Sequence, residues 1–190
     1  MSRYSTLVRV ALLAVGAYAV TGALELLHDQ PTVFADLVDY VIEATFVVGL
    51  LASVSVLIWL CRAGLSTRPA TVGWAVAAAG HAALATAALA TTLAGRETLD
   101  PLFPLGFLAI VAGYLPLAAS DLRNHLVPPR SGVVLLVGFV ATAVVDNLVT
   151  GGGTLVLAAT WAALARLMSA SGDQPAPDQG RPAVSLAGSR

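Results

Sequence analysis

Charge is scarce in this chain, and lysine is absent. Only 11% of the 190 residues are charged, whereas a soluble domain carries about 25%. All ten basic residues are arginine, and eleven acidic residues bring the formal net charge to −1. So little charge cannot cover a surface that faces water on all sides, and without excess positive charge there is no basic patch for nucleic acid. The composition excludes an ordinary soluble domain and argues against a nucleic-acid partner.

Motifs for metals, nucleotides and acyl transfer are also missing. The single cysteine, Cys61, cannot form an internal disulfide, and no CxxC or zinc-finger spacing occurs. GxSxG, the Walker phosphate loop, HExxH and GxGxxG are all absent. The three histidines, His28, His81 and His125, fall in different segments and cannot pair as haem ligands. We therefore expect neither haem nor a nucleotide cofactor.

Long apolar runs dominate what remains. Hydrophobic residues make up 57% of the chain, and the mean hydropathy is +0.83. A helix of about 20 apolar residues crosses the hydrocarbon core of a bilayer. Runs near that length occupy 7–27, 37–60, 71–93, 102–119, 132–149 and 154–168, the last being the shortest, with prolines and glycines between them. The sequence predicts an all-α, polytopic membrane bundle of about six transmembrane helices within residues 1–170, and a disordered tail at 171–190.

Arginine placement predicts the orientation. With six spans, nine of the ten arginines fall on one side of the membrane and only Arg96 on the other. Short loops rich in positive charge stay in the cytoplasm, so both termini are expected inside. The first apolar run is longer than the core of a cleaved signal peptide, which favours a retained helix. The arginine- and alanine-rich composition is typical of a GC-rich bacterial genome, which indicates a bacterial plasma membrane.

Acidic residues gather on the opposite, outer side. Seven polar side chains there form two stripes joined by a short loop. The stripes consist of Glu25, His28 and Asp29 on the first helix and of Asp36, Asp39, Tyr40 and Glu43 on the second. Spacings of three and four residues place each stripe on one helix face. Because the short loop makes the two helices antiparallel neighbours, we expect the stripes to meet in an acid-lined outer pocket.

Two further positions extend this hypothesis. Asp146 and Asn147 lie near the outer end of the fifth helix, and they would join the pocket if that helix approached the first two. His81 lies near the middle of the third helix among small residues. A histidine at that depth can bind a ligand or carry protons, or it can simply hydrogen-bond a neighbouring carbonyl.

The pocket is the basis of the first functional hypothesis, which is binding or transport of a small cation or a polar headgroup. Glu25, His28 and Glu43 offer the oxygen and imidazole ligands that a single divalent cation would take. The Glu-x-x-His spacing of di-metal bundles occurs only once, so a two-metal site is not expected. Solvated charges at the membrane interface are the simpler alternative.

Other functions fit the same residues. An intramembrane enzyme would use Glu43 as an acid on a lipophilic terpenoid or lipid substrate, with Asp146 stabilising the developing cation. A weak repeat, in which Glu25 and His28 correspond to Asp121 and His125, resembles the inverted halves of transporters. A structural or accessory subunit is a further alternative. The lipid bilayer is the one expected partner, beside a lipophilic or cationic ligand, and the sequence does not set the oligomeric state.

Overall fold

The computed structural model describes residues 3–28, 33–63, 67–96, 98–99, 101–123, 126 and 128–172. Six helices account for most of them: α1 (Arg3–Glu25), α2 (Leu37–Arg62), α3 (Arg68–Ala94), α4 (Leu102–Leu122), α5 (Ser131–Asp146) and α6 (Gly152–Gly172). Five of these helices are long and apolar enough to cross a membrane, and α5 is a shorter apolar helix. The prediction of an all-helical membrane bundle is confirmed. The predicted tail starts within the last turn of α6, and 173–190 lie outside the described residues.

Local signals set several helix ends. Asp36 begins α2 by accepting hydrogen bonds from the backbone N–H groups of Val38 and Asp39, and the Asp39 side chain accepts one in return from the N–H of Asp36. This reciprocal capping box satisfies donors that the first helical turn leaves without partners. At the same end of the bundle, α3 ends at Gly95, whose φ of 63° is a left-handed conformation that glycine adopts without strain.

The shortest helix is α5, not α6 as the sequence predicts. Residues Gly152–Gly172 form 21 helical residues, because α6 begins two residues before and ends four residues after the apolar run at 154–168. The 16 residues of α5 extend about 24 Å at about 1.5 Å per residue, less than the roughly 30 Å of hydrocarbon. The helix ends before the apolar run does, because the chain turns after Asp146 towards the three glycines at 151–153.

The helices form a closed ring. Each helix packs against its neighbours in the chain, and α6 packs against α1. Within the described part of the chain, helices on opposite sides of the ring do not pack against each other. No helix therefore occupies the centre, which only side chains can fill.

The two ends of the ring differ. We call the end where α1, α3 and α5 begin the arginine-rich end, and the opposite end the acidic end. Large side chains fill the ring in its arginine-rich half. They include Trp74, Leu60, Leu117, Leu164 and Met168, each at most 2% exposed. The acidic half is hollow.

Candidate functional site

A cavity of about 920 Å³ extends from the acidic end to the middle of the ring. Its volume lies within the range of about 300–1,000 Å³ that is usual for small-molecule sites. Side chains from all six helices line it. The cavity is therefore a product of the closed ring rather than of any single helix pair.

Four carboxylates line the cavity. They are Glu25 on α1, Asp39 and Glu43 on α2, and Asp146 on α5. Asp39 is buried, Glu25 and Glu43 are half-buried, and Asp146 is exposed. Carboxylates placed at membrane depth face a bundle interior or a polar cavity, where a ligand or another polar group can stabilise them. These four make the acidic end of the cavity suitable for a cationic or hydrogen-bond-donating group.

Glu25 also joins the first and last helices. The hydroxyl of Thr154, at the start of α6, donates a hydrogen bond of 2.7 Å to Oε2 of Glu25. Thr154 itself lines the cavity. The carboxylate of Glu25 is thus held at the cavity wall at the point where the ring closes.

The cavity walls are aromatic. The chain contains five phenylalanines, and all five line the cavity. They are Phe34, Phe46, Phe103, Phe107 and Phe139. The rings of Phe107 on α4 and Phe139 on α5 stack with centroids 4.6 Å apart. A bilayer accepts phenylalanine on any lipid-facing surface, so its confinement to the cavity indicates a role for aromatic rings there.

His81 lies at the inner end of the cavity. Its Nδ1 lies 2.9 Å from the carbonyl oxygen of Ala77, and a carbonyl only accepts, so Nδ1 carries a proton; in the neutral imidazole Nε2 then has a free lone pair. Among the described residues, neither Nε2 of His81 nor the neighbouring indole N–H of Trp161 has a hydrogen-bond partner, although both are buried. Buried polar atoms without partners are uncommon and mark places where a water or ligand atom would bind.

His28 and Asp36 lie outside the cavity lining and form a cluster with Asp39, which borders the cavity. Nε2–H of His28 donates to Oδ1 of Asp39 over 2.9 Å and lies 3.8 Å from Oδ1 of Asp36. Within the described residues, these three form the one group of metal-ligand side chains whose atoms lie within 4.8 Å of one another. The metal set predicted from sequence, Glu25 with His28 and Glu43, is not such a group. Helix capping already accounts for both aspartates.

Two other predicted binding residues face elsewhere. Tyr40 packs its ring edge-on against Phe34, with centroids 4.9 Å apart, and its hydroxyl lies beside Gly95. Asn147 is exposed, and its side-chain amide donates to the carbonyl of Ala143 in the preceding turn of α5. Of the predicted set, the cavity brings together Glu25, Asp39, Glu43, Asp146 and His81. It does not include His28, Asp36, Tyr40 or Asn147.

The assumption that the fifth helix approaches the first two helices is wrong. In the described chain, α5 packs against α4 and α6 and not against α1 or α2. Asp146 still borders the same cavity as Glu25 and Glu43, because all three face the hollow centre from different sides of the ring. Contact between the helices is therefore not needed to bring their side chains to one site.

No protein-family model matches this sequence, and neither a curated protein nor a solved structure shows detectable similarity to it.

Proposed function

We propose that this protein binds an amphipathic organic cation in its central cavity. The cationic head lies among the carboxylates at the acidic end, and the apolar body extends between the phenylalanine rings towards His81. The observation that carries the proposal is the joint presence, in one cavity, of four carboxylates and of every phenylalanine in the chain.

The aromatic walls favour an organic cation over a bare metal ion. Aromatic faces attract cations that have lost most of their hydration, a contribution of about 0.5–2 kcal/mol for each good contact. A metal ion would instead need oxygen or nitrogen ligands at close range, and it would leave most of a 920 Å³ cavity unused. The apolar walls match the body of a lipophilic molecule.

The filled half of the ring favours binding over conduction. Trp74, Leu117 and Leu164 are fully buried between the cavity and the arginine-rich end. The arginines whose side chains the structure describes are all exposed, and none of them lies in the interior. They are Arg9, Arg62, Arg68, Arg96, Arg123, Arg130 and Arg166. An ion that entered the cavity would therefore meet an apolar core.

The proposal is tested with a matched pair of fluorescent probes. One is an undecyl chain with a dansyl group at one end and trimethylammonium at the other, and its partner carries a carboxylate instead. We expect the protein in nanodiscs to bind the cationic probe in preference, and a Glu25→Gln/Glu43→Gln double variant to bind it about tenfold more weakly, because two attractive charges are lost. Dansyl emission measures both affinities.

Neighbouring positions on α5 provide the control. Ala143 lines the cavity, whereas Val144 is exposed on the lipid side. Ala143→Phe should reduce binding of the cationic probe at least tenfold by filling space, and Val144→Phe should leave it unchanged. Equal affinity of the wild-type protein for both probes, or equal binding by both phenylalanine variants, contradicts the proposal.

A second function has one observation in its favour. Glu43 is half-buried one turn before Phe46, in a cavity whose aromatic walls would also stabilise a carbocation. Protonation of an alkene by the carboxylic acid would give such a cation, and loss of a proton back to the carboxylate would release an isomerised or cyclised alkene. Incubation with a polyprenoid decides this function: a new isomer must form, and Glu43→Gln must abolish it.

Location and orientation complete the proposal. Placing the arginine-rich end in the cytoplasm, as the charge asymmetry predicts, directs the cavity towards the outer leaflet. We propose a bacterial plasma membrane as the site of action.

A further inference from the structure

The exposed residues of the cavity wall lie on two neighbouring helices. Twenty residues line the cavity, and three of them are exposed: Pro104 and Leu108 on α4 and Asp146 on α5. Leu108 lines the cavity although 63% of its surface is accessible. Pro104 and Leu108 are four residues apart and share one face of α4. The cavity wall is therefore open between α4 and α5 near the acidic end.

In the acidic half of the molecule, hydrogen bonds or backbone contacts join α1 to α2, α6 to α1 and α3 to α4. His28 bonds Asp39 between α1 and α2, and Thr154 bonds Glu25 between α6 and α1. A Cβ on Gly80 of α3 would lie 2.7 Å from the carbonyl oxygen of Gly106 on α4, so these two backbones touch.

In the same half, backbone contacts also join α5 to α6, and a backbone hydrogen bond joins the ends of α2 and α3. A Cβ on Gly153 of α6 would lie 2.6 Å from the carbonyl oxygen of Thr142 on α5. Between α2 and α3, the N–H of Phe34, just before α2, donates to the carbonyl of Gly95, just after α3, over 2.9 Å. Val33 and Arg96 form a short antiparallel bridge beside that bond, so paired loops cover part of the acidic end.

The contacts that join α4 and α5 most closely lie instead at the arginine-rich end. The Asp121 carboxylate at the end of α4 accepts hydrogen bonds of 2.9 Å from the backbone N–H groups of Arg130 and Val133 at the start of α5. Gly132 packs directly on the backbone of Leu117, with no room for a Cβ. From this joint the helices run to the Phe107–Phe139 stack. Leu108 lies at the level of this stack, and Pro104 and Asp146 lie beyond it towards the acidic end, so these exposed lining residues flank the opening.

We infer that the ligand is a membrane lipid or lipid-like cation that enters sideways from the bilayer between α4 and α5. Its apolar chain passes between Leu108 and Ala143, and its head remains near Asp146 at the level of the interface. The opening faces hydrocarbon on the same side of the membrane as the carboxylates, so a single-chain amphiphile can slide in without leaving the leaflet. This inference rests on the proposed binding function and adds the source of the ligand.

The test blocks the opening after the protein has folded. On a Cys61→Ala background, Leu108→Cys is compared with Leu115→Cys, since Leu115 is an exposed leucine on α4 that does not line the cavity and lies about two turns nearer the arginine-rich end. Both proteins are labelled with pyrene maleimide in liposomes, and the cationic undecyl-dansyl probe is then added. We expect the label at position 108 to slow the capture of the probe at least tenfold, and the label at position 115 to leave the rate unchanged.

The outcomes separate the two proposals. If unlabelled protein does not bind the probe at equilibrium, the binding function fails and the route fails with it. If it binds but both labelled proteins capture the probe at the same rate, the binding function stands and the side opening is refuted. Labelling follows folding, so a slow rate at position 108 cannot come from a failure to fold, and thermal unfolding of both labelled proteins verifies this.

Discussion

Phenylalanine occupies few positions in this chain, and each of them borders the cavity. The lipid-facing surface instead carries leucine and valine, such as Leu93, Leu105 and Val137. Leucine, valine and phenylalanine all insert favourably into the bilayer, so the bilayer does not impose this division. The attraction of cations to aromatic faces gives a physical reason for it.

Sequence spacing finds some site residues and misplaces others for a definite reason. Asp39 and Glu43 are four residues apart in α2 and both line the cavity, as the shared face predicts. Asp36 fits the same spacing but precedes the helix, where it serves as the cap and is exposed. Spacing assumes a continuous helix, and the capping turn ends that continuity.

At the residue scale, replacing His81 by phenylalanine should change the stability of the fold little. Nε2 of His81 has no partner among the described residues, so the substitution removes a buried acceptor without a partner. It also removes the Nδ1–H bond to the carbonyl of Ala77, and it keeps an aromatic ring among Tyr114, Phe139 and Trp161. These two effects oppose each other, so we expect the free energy of unfolding to stay within about 1 kcal/mol of the wild-type value. Unfolding in mixed micelles with increasing denaturing detergent measures it.

Tyr18→Phe is the matched control for His81. The Tyr18 hydroxyl is equally buried, but it donates a 3.0 Å hydrogen bond to Ser53, whose own hydroxyl donates to the carbonyl of Gly49. Losing this bond should cost about 0.5–1 kcal/mol. If His81→Phe is the more destabilising of the two, then the imidazole has a structural role and is not reserved for a ligand.

At the scale of elements, α5 depends on its neighbour for its start. The residue before it, Arg130, has a φ of 66° and provides no side-chain cap. The acceptors come from Asp121 on α4, which binds two backbone N–H groups at this helix start. A carboxylate at a helix N-terminus also interacts favourably with the helix dipole. Asp121 thus both caps α5 and joins it to α4.

Asp121→Ala should therefore loosen one helix rather than the whole ring. We expect the free energy of unfolding to fall by about 1–2 kcal/mol, since both capping bonds are lost. The amide hydrogen of Val133 should exchange faster than in the wild-type protein, whereas amides in the middle of α2 should not change. Arg123→Ala, an exposed neighbour, is the control, and identical exchange at Val133 in both variants would rule out the capping role.

For the whole molecule, the number of helices was predictable and their arrangement was not. Six apolar runs separated by turn residues are visible in the sequence because the bilayer requires long uninterrupted helices. In a bundle surrounded by lipid, however, both the inner and the outer face are apolar. Leu105, which faces lipid, and Phe107, which faces the cavity, therefore belong to one unbroken hydrophobic run. Ring closure and the central cavity leave no periodic signal.

The orientation of the whole molecule can be tested on single cysteines. On the Cys61→Ala background, Thr150→Cys places an exposed thiol in the turn after α5, at the acidic end, and Thr67→Cys places one before α3, at the arginine-rich end. In intact bacterial cells expressing the protein, we expect a membrane-impermeant maleimide to label position 150 and not position 67. The reverse pattern would place both termini outside and refute the arginine-based prediction.

The closed ring also bears on how the protein is made. Five of its six helix interfaces join segments that follow each other in the chain, so each can form as soon as the next helix leaves the ribosome and enters the membrane. The interface between α1 and α6 must wait for the last helix. Thr154 reaches Glu25 only then, and the cavity acquires its final wall at the same moment. Until synthesis is complete, the nascent protein is an open sheet of helices with no enclosed space to hold a ligand.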